Sequence, residues 1–84
     1  MQLYEQTKQL VKEILSMLKE KNTISKSDVY IYALLNYGFS SKKVDKILEL
    51  FIQQKIVKVT DQDFKYNQKA DNLYSEIQKK QRIL

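Results

Sequence analysis

The sequence predicts a mainly α-helical fold with a small β-hairpin, an α+β class, in a single domain. Apolar residues recur at helical spacing over most of the chain, and the period changes to strict alternation in the last third. Serines, an asparagine and a single glycine stand where the segments meet. With 84 residues, the chain has the length of one domain. Because it contains no proline, the ends of its helices and strands must be predicted from capping residues.

Two helices are predicted in the first half of the chain. Leucines, isoleucines and valines at helical spacing predict a helix over residues 2–21, and the β-branched residues 23–24 indicate one brief strand after it. Ser25 and Ser27 are both candidate N-caps of a second helix, about 26–37, because a serine oxygen accepts hydrogen bonds from the free amides of a first turn. This second helix is apolar over a wide surface, so we expect it to be packed on several sides.

A tight turn and a third helix are predicted next. Gly38 suits the left-handed position that closes a helix, and Phe39 is an apolar turn residue placed to enter the core. Either Ser40 or Ser41 caps a helix of about 41–54. The apolar residues of this helix are spaced at i, i+3, i+4 and i+7, which predicts one buried face: Val44, Ile47, Leu48 and Phe51.

The last third of the chain predicts a hairpin and a final helix. Residues 56–60 alternate as a strand does, residues 61–63 form a polar turn, and residues 64–66 alternate again. Asn67 suits the cap of a last helix, about 68–82, with its own apolar stripe. This helix either covers the core of its own chain or pairs with a second copy.

The composition argues against catalysis and cofactor binding. Without cysteine or histidine there are no disulfides or zinc fingers, and the commonest general base and the strongest nucleophile are missing. One glycine cannot build a phosphate-cradling loop, and turn chemistry explains the Asp61-x-Asp63 pair better than a metal site does. No apolar run approaches the roughly 18 residues of a membrane span. We therefore expect no enzyme, cofactor, metal or membrane partner, and a cytoplasmic or nucleoid-associated protein.

The positive charge is concentrated in one part of the chain. The formal net charge is +5, and residues 37–60 hold five lysines against two acids, a local net charge of +3. A localised excess of this kind is typical of a surface that binds polyanions. A lysine-rich surface that only interacts with water explains the same excess, so charge alone leaves both interpretations open.

The order of predicted elements resembles the winged helix-turn-helix superfamily. The resemblance covers about residues 8–67, within a predicted domain of residues 1–67. Residues 68–84 resemble the extra C-terminal helix through which many winged-helix regulators dimerise. The segments that carry the resemblance are residues 24–29 leading into the second helix, the turn 36–40, the third helix 41–54, and the wing formed by 56–59 with 64–66.

The resemblance implies a DNA-binding surface. The third helix would enter the major groove, and the wing would lie on the DNA backbone. That helix has no arginine, so we expect mostly electrostatic affinity with modest sequence preference. The candidates for DNA contact are six positions of the third helix, three of the wing and one at the start of the second helix: Ser40, Ser41, Lys42, Lys43, Lys46 and Gln53; Lys58, Gln62 and Lys65; and Lys26.

Three functions remain open from the sequence. The first is a protein that binds double-stranded DNA, as a transcriptional regulator or as a factor in the replication or transfer of a mobile element. It would be a homodimer through its first and last helices, with a monomer as the alternative. The second is a protein-interaction module, an assembly subunit or an inhibitor, that does not bind DNA. The third is single-strand binding by stacking on tyrosines, although Tyr30, Tyr37 and Tyr74 fall on apolar stripes and are expected in the core.

Overall fold

The computed structural model describes residues 3–73 and residue 76, and it is mainly helical with a small antiparallel sheet. Residues 68–73 are helical, as is residue 76, and the rest of the predicted last helix, including Tyr74, lies outside the described residues. The predicted α+β class is therefore confirmed. The elements are α1 (Leu3–Lys21), β1 (Thr23–Ser25), α2 (Lys26–Tyr37), α3 (Ser41–Gln53), β2 (Val57–Val59) and β3 (Asp63–Tyr66).

The sheet has three strands in the order β1-β3-β2, with both pairings antiparallel. The predicted hairpin supplies β2 and β3, and β1 adds to the free edge of β3. Phe64 is paired with Ile24 on one side and with Val59 on the other, and Phe64 and Ile24 are buried. Because side chains alternate along a strand, Lys65 and its partner Lys58 lie on the opposite, exposed face.

Serine caps begin both helices of the helix–turn–helix segment. The Asp28 amide donates to Ser25 Oγ over 3.1 Å, and the Lys43 amide donates to Ser40 Oγ over 3.3 Å. Ser25 and Ser40 are thus the caps, rather than Ser27 and Ser41. Each cap satisfies an amide that has no partner within its helix.

Gly38 ends α2 in the left-handed conformation, with φ at 71°, and its amide donates to the Leu34 carbonyl over 2.9 Å. A Cβ at this position would meet nothing within 4 Å, so the cost of a side chain there is backbone strain alone. We expect Gly38→Ala to lower the free energy of unfolding by about 1 kcal/mol, and Gly38→Asn to lower it by less, because asparagine tolerates this region. Urea denaturation measures both variants. Equal stability of all three proteins would contradict this account of the turn.

The core lies between α1, α2, α3 and one face of the sheet. The predicted buried face of α3 is confirmed, because Val44 and Leu48 are inaccessible and Ile47 and Phe51 pack against them. Phe39 is buried, as predicted for the turn. Among the residues that the structure describes, the buried apolar side chains are Leu10, Ile14, Leu18, Ile24, Val29, Ala33, Phe39, Val44, Leu48, Ile56, Val57 and Phe64.

The expectation that α2 is packed on several sides holds for part of its surface and fails for its outer face. Val29 and Ala33 are buried, but Ile31, Leu34 and Leu35 are 54%, 58% and 78% exposed. The reason is size: α2 contacts α1, α3 and β1, and a domain of this length has no further layer to cover its outer face. We call these three exposed residues the α2 stripe.

Glu13 of α1 joins the first two helices through tyrosine hydroxyls. Its Oε1 accepts hydrogen bonds from Tyr37 Oη over 2.6 Å and from Tyr32 Oη over 2.8 Å, and its Oε2 accepts from Gln9 Nε2 over 3.2 Å. The bond from Tyr37 holds the pKa of Glu13 below its ordinary value of 4.5, partial burial opposes this, and the bonds from Tyr32 and Gln9 add to the lowering. The ionised carboxylate therefore stabilises the fold.

This network predicts a specific acid dependence of stability. A lowered folded-state pKa gives stability that is present above pH 4.5 and is lost as the pH falls through the folded-state value. We expect Glu13→Gln to be less stable than the wild type at neutral pH, and the difference to shrink as the pH falls below 4.5 and through the lowered folded-state pKa of Glu13. Tyr37→Phe keeps the aromatic ring that stacks on Phe39 but removes the hydroxyl that donates to Glu13. This variant should therefore lose less stability than the wild type as the pH falls. A stability difference between Glu13→Gln and wild type that does not change with pH would contradict the assignment.

Candidate nucleic-acid interface

Three lysines from the first turns of α3 surround one groove. Lys42, Lys43 and Lys46 line an open groove of about 510 Å³ together with Ile47 of α3 and Thr7 of α1. The three lysines are sequence-predicted candidates, and the structure brings them together. Thr7 was missed from the sequence, because nothing local in α1 indicates that its second turn meets α3.

The turn before α3 determines where Lys43 lies. Phe39 is buried and stacks on Tyr37, with ring centroids 5.7 Å apart. The Lys43 ammonium lies over the Phe39 ring, 4.9 Å from its centroid, in cation–π geometry. Lys43 is only half-exposed, and this contact restrains its side chain in the absence of a partner.

The acids of α3 are engaged away from the groove. Asp45 accepts a hydrogen bond from Tyr30 Oη of α2 over 2.6 Å, and Glu49 accepts one from Gln53 Nε2 over 3.5 Å. Within residues 3–73 and 76, the one ion pair joins Lys19 Nζ to Asp71 Oδ2 over 3.7 Å. No carboxylate of the described chain therefore neutralises the groove lysines at ion-pair distance, and the local field stays positive.

Four other candidates lie at or beside the β2–β3 hairpin. Lys58 and Lys65 face each other across the two strands on the exposed side of the sheet. The Lys26 amide at the start of α2 donates to the Gln62 carbonyl over 2.8 Å, which ties α2 to the turn of the hairpin. Two like charges directly opposite each other repel, so the pair Lys58–Lys65 would be relieved by an anion.

The last three candidates are Gln53, Ser40 and Ser41, and their surroundings differ. Gln53 lies near the end of α3, where its side chain is engaged with Glu49, and it belongs to neither lysine group. Ser40 uses its hydroxyl to cap α3, so that oxygen is an acceptor already in use. Ser41 is exposed in the first turn of α3, beside the groove lysines in the sequence.

The described tyrosines mostly bond to carboxylates. Besides the bonds to Glu13 and Asp45, Tyr66 Oη donates to Asp71 Oδ2. Burial, followed by the bond to Asp45, raises the pKa of Tyr30 to about 12. These hydroxyls are internal donors, and Tyr30 also packs edge-on against Phe64. Tyr4, 69% exposed on α1, is the tyrosine of the described chain whose side chain is most open for base stacking.

Comparison with models of known protein families, with curated proteins and with solved structures found no match for this chain. None of the helices in the described ranges is both long and apolar enough to cross a membrane. Over the same residues, no three or more acids come together as ligands for a metal ion. A function is therefore inferred from three surfaces: the groove lined by Lys42, Lys43 and Lys46, the β2–β3 hairpin and the α2 stripe.

Proposed function

We propose that this protein is a small winged-helix protein that binds double-stranded DNA, with α3 in the major groove and the β2–β3 hairpin on the backbone. The observation that carries the proposal is the set of three lysines around one groove of α3, with the acids of that helix engaged elsewhere. The order of elements and the strand order β1-β3-β2 support it, because the superfamily resemblance implies a helix–turn–helix followed by a hairpin on a small sheet.

The binding energy of such an interface is mainly electrostatic. Lysines bind phosphates as point charges and release counterions from DNA, which makes the affinity fall steeply with salt. Because α3 has no arginine, base contacts would come from its lysines and from Gln53, whose side chain donates a long hydrogen bond of 3.5 Å to Glu49. We propose a role in transcription regulation, or in the replication or transfer of a mobile element, that tolerates modest sequence selectivity.

A homodimer through α1 and the C-terminal helix fits this function. Tyr4 on α1 and Leu73 in the segment 68–73 are 69% and 60% exposed, so both helices present apolar surface. A two-fold dimer would place two α3 helices in successive major grooves, about 34 Å apart. Light scattering of the purified protein measures its mass in solution, and a monomeric mass at all concentrations would remove the dimer from the proposal.

The proposal is tested by titrating a fluorescent duplex with the wild-type protein at about 50 and 200 mM salt. We expect binding at the lower concentration and a loss of at least tenfold in affinity at the higher one. An unlabelled single strand of the same sequence serves as competitor. Absence of duplex binding at low salt would contradict the proposal, and stronger competition by the single strand would favour stacking on exposed tyrosines such as Tyr4.

The α2 stripe favours a second candidate function, a protein-interaction module that does not bind DNA. Ile31, Leu34 and Leu35 form a contiguous apolar stripe at i, i+3 and i+4, and Asp28 is the acid of the same helix. An amphipathic helix of another protein, with an apolar face of matching spacing, is the partner that this surface fits. The variant Ile31→Ser with Leu35→Ser should abolish such an interaction and leave the domain folded, because both side chains are more than half exposed.

A further inference from the structure

We propose that the groove between α1 and α3 is a binding site for a phosphate ester, and that Thr7 contributes a hydroxyl donor from α1 to it. This inference rests on the proposed function, because it identifies which part of the DNA, a backbone phosphodiester, occupies the groove. It assigns to α1 a share in ligand binding, whereas the sequence places α1 only in the core and at a dimer interface.

The charge of the groove favours an anion. Three of its five lining residues are lysines, the fourth is a threonine and the fifth is Ile47, so no acid lines it. Asp45 lies on the same helix but bonds to Tyr30 of α2. Three lysines beside one space make the local potential positive, and this potential attracts a ligand of multiple or delocalised negative charge.

The shape and chemistry of the groove favour a phosphate ester over a small free ion. A volume of about 510 Å³ is several times that of a phosphate group, and the groove opens to the solvent, so a chain can continue beyond it. Ile47 gives it an apolar floor on which a sugar can lie. Lysine ammoniums and threonine hydroxyls are two of the donors with which proteins contact DNA phosphates and sugars.

Part of the site is ordered before binding. Lys43 is held over the Phe39 ring at 4.9 Å, and Ser40 fixes the start of the helix that carries all three lysines. Lys42 and Lys46 are four residues apart and therefore lie on the same side of α3. The contact of Lys43 with Phe39 therefore lowers the entropic cost of ordering this one side chain when a ligand binds.

Thr7→Val tests the inference, with Thr7→Ser as its matched control. Valine keeps the volume and branching of threonine without the hydroxyl, and serine keeps the hydroxyl. We expect Thr7→Val to weaken duplex binding by about tenfold and Thr7→Ser to leave it within about twofold. The dependence on salt should not change in Thr7→Val, because a neutral donor releases no counterion, whereas Lys43→Met should reduce it. Thermal unfolding verifies that the variants are folded.

The outcomes separate this inference from the proposed function. If the wild-type protein binds the duplex and Thr7→Val binds it equally tightly, the proposed phosphate site is wrong and the proposed DNA binding is retained. Titrations with inorganic phosphate, a nucleoside triphosphate and the duplex, followed by amide chemical shifts of Thr7 and residues 42–47, distinguish the sources of the phosphate. Shifts with the triphosphate but not with the duplex would retain the site and reject DNA as its ligand. No shift at these residues with any of the three would overturn it.

Discussion

Replacing Lys42, Lys43 and Lys46 together by alanine is expected to weaken duplex binding by about two to three orders of magnitude at about 0.1 M salt. The three residues line one groove, and none has a carboxylate at ion-pair distance among the described residues, so each is available to replace a counterion on DNA. Each lost phosphate contact also reduces the slope of log affinity against log salt by about 0.9, and the triple variant should reduce it by about 2–3. Fluorescence titrations over a range of salt concentrations measure both quantities.

A triple variant of equal charge controls for this result. Lys12, Lys21 and Lys69 are exposed lysines outside the groove and the hairpin, and replacing all three by alanine lowers the net charge from +5 to the same +2. We expect this control to lose much less affinity and to keep most of its salt dependence. Equal losses in the two variants would show that only the total charge matters. Unchanged binding in the groove variant would mean that α3 does not face the DNA.

The single variants divide the effect among the three lysines. Lys42→Ala and Lys46→Ala remove exposed ammonium groups only, so their folded stability should match that of the wild type. Lys43→Ala also removes the cation–π contact with Phe39, which contributes about 0.5–1 kcal/mol. Unfolding measurements are therefore needed beside each titration, so that a loss of affinity is not confused with a loss of folded protein.

Local signals in the sequence were sufficient to predict the helices, to place Gly38 at the end of α2 and to narrow each serine cap to two candidates. Ser25, Gly38 and Ser40 act on backbone groups within a few residues of themselves, so the chain near each position contains the whole explanation. The buried face of α3 was predictable for the same reason, since the spacing of Val44 and Leu48 defines one side of a helix whatever packs against it.

The features that sequence analysis missed depend on contacts between distant segments. The pairing of β1 with β3 joins Ile24 to Phe64, and a three-residue strand carries no sign of which edge it will join. The position of Thr7 beside α3 depends on how α1 crosses the core. The exposure of Leu34 and Leu35 follows from the number of layers in the fold. Apolar periodicity alone did not predict it, because the same spacing occurs in a helix that is covered and in one whose apolar face is exposed.

The two lysine groups depend on the same core for their positions. Phe64 stands in the central strand, and the next residue, Lys65, lies on the exposed face opposite Lys58. Tyr30 packs edge-on against Phe64, 6.1 Å between ring centroids, and the hydroxyl of Tyr30 holds Asp45 of α3. A change at Phe64 is therefore expected to disturb both the hairpin and the hydrogen bond between Tyr30 and Asp45 of α3.

Phe64→Ala is expected to lower the free energy of unfolding by about 3–5 kcal/mol. The ring is 1% exposed, and it is one of the largest fully buried side chains in the described chain. A domain of this length has a total stability of roughly 4–12 kcal/mol, so the variant should be partly or largely unfolded at 37 °C. Circular dichroism during urea denaturation measures the loss. The alanine variant should also lose DNA binding in proportion to its unfolded fraction.

Two further variants keep this prediction testable if Phe64→Ala does not fold. Phe64→Leu retains most of the apolar volume and should cost about 1–2 kcal/mol, leaving a folded protein that binds duplex DNA nearly as the wild type does. Leu35→Ala removes a leucine that is 78% exposed and should change stability by less than about 0.5 kcal/mol. A loss at Leu35 as large as that at Phe64 would mean that the outer face of α2 is buried in solution, as it would be under a second copy or a partner helix.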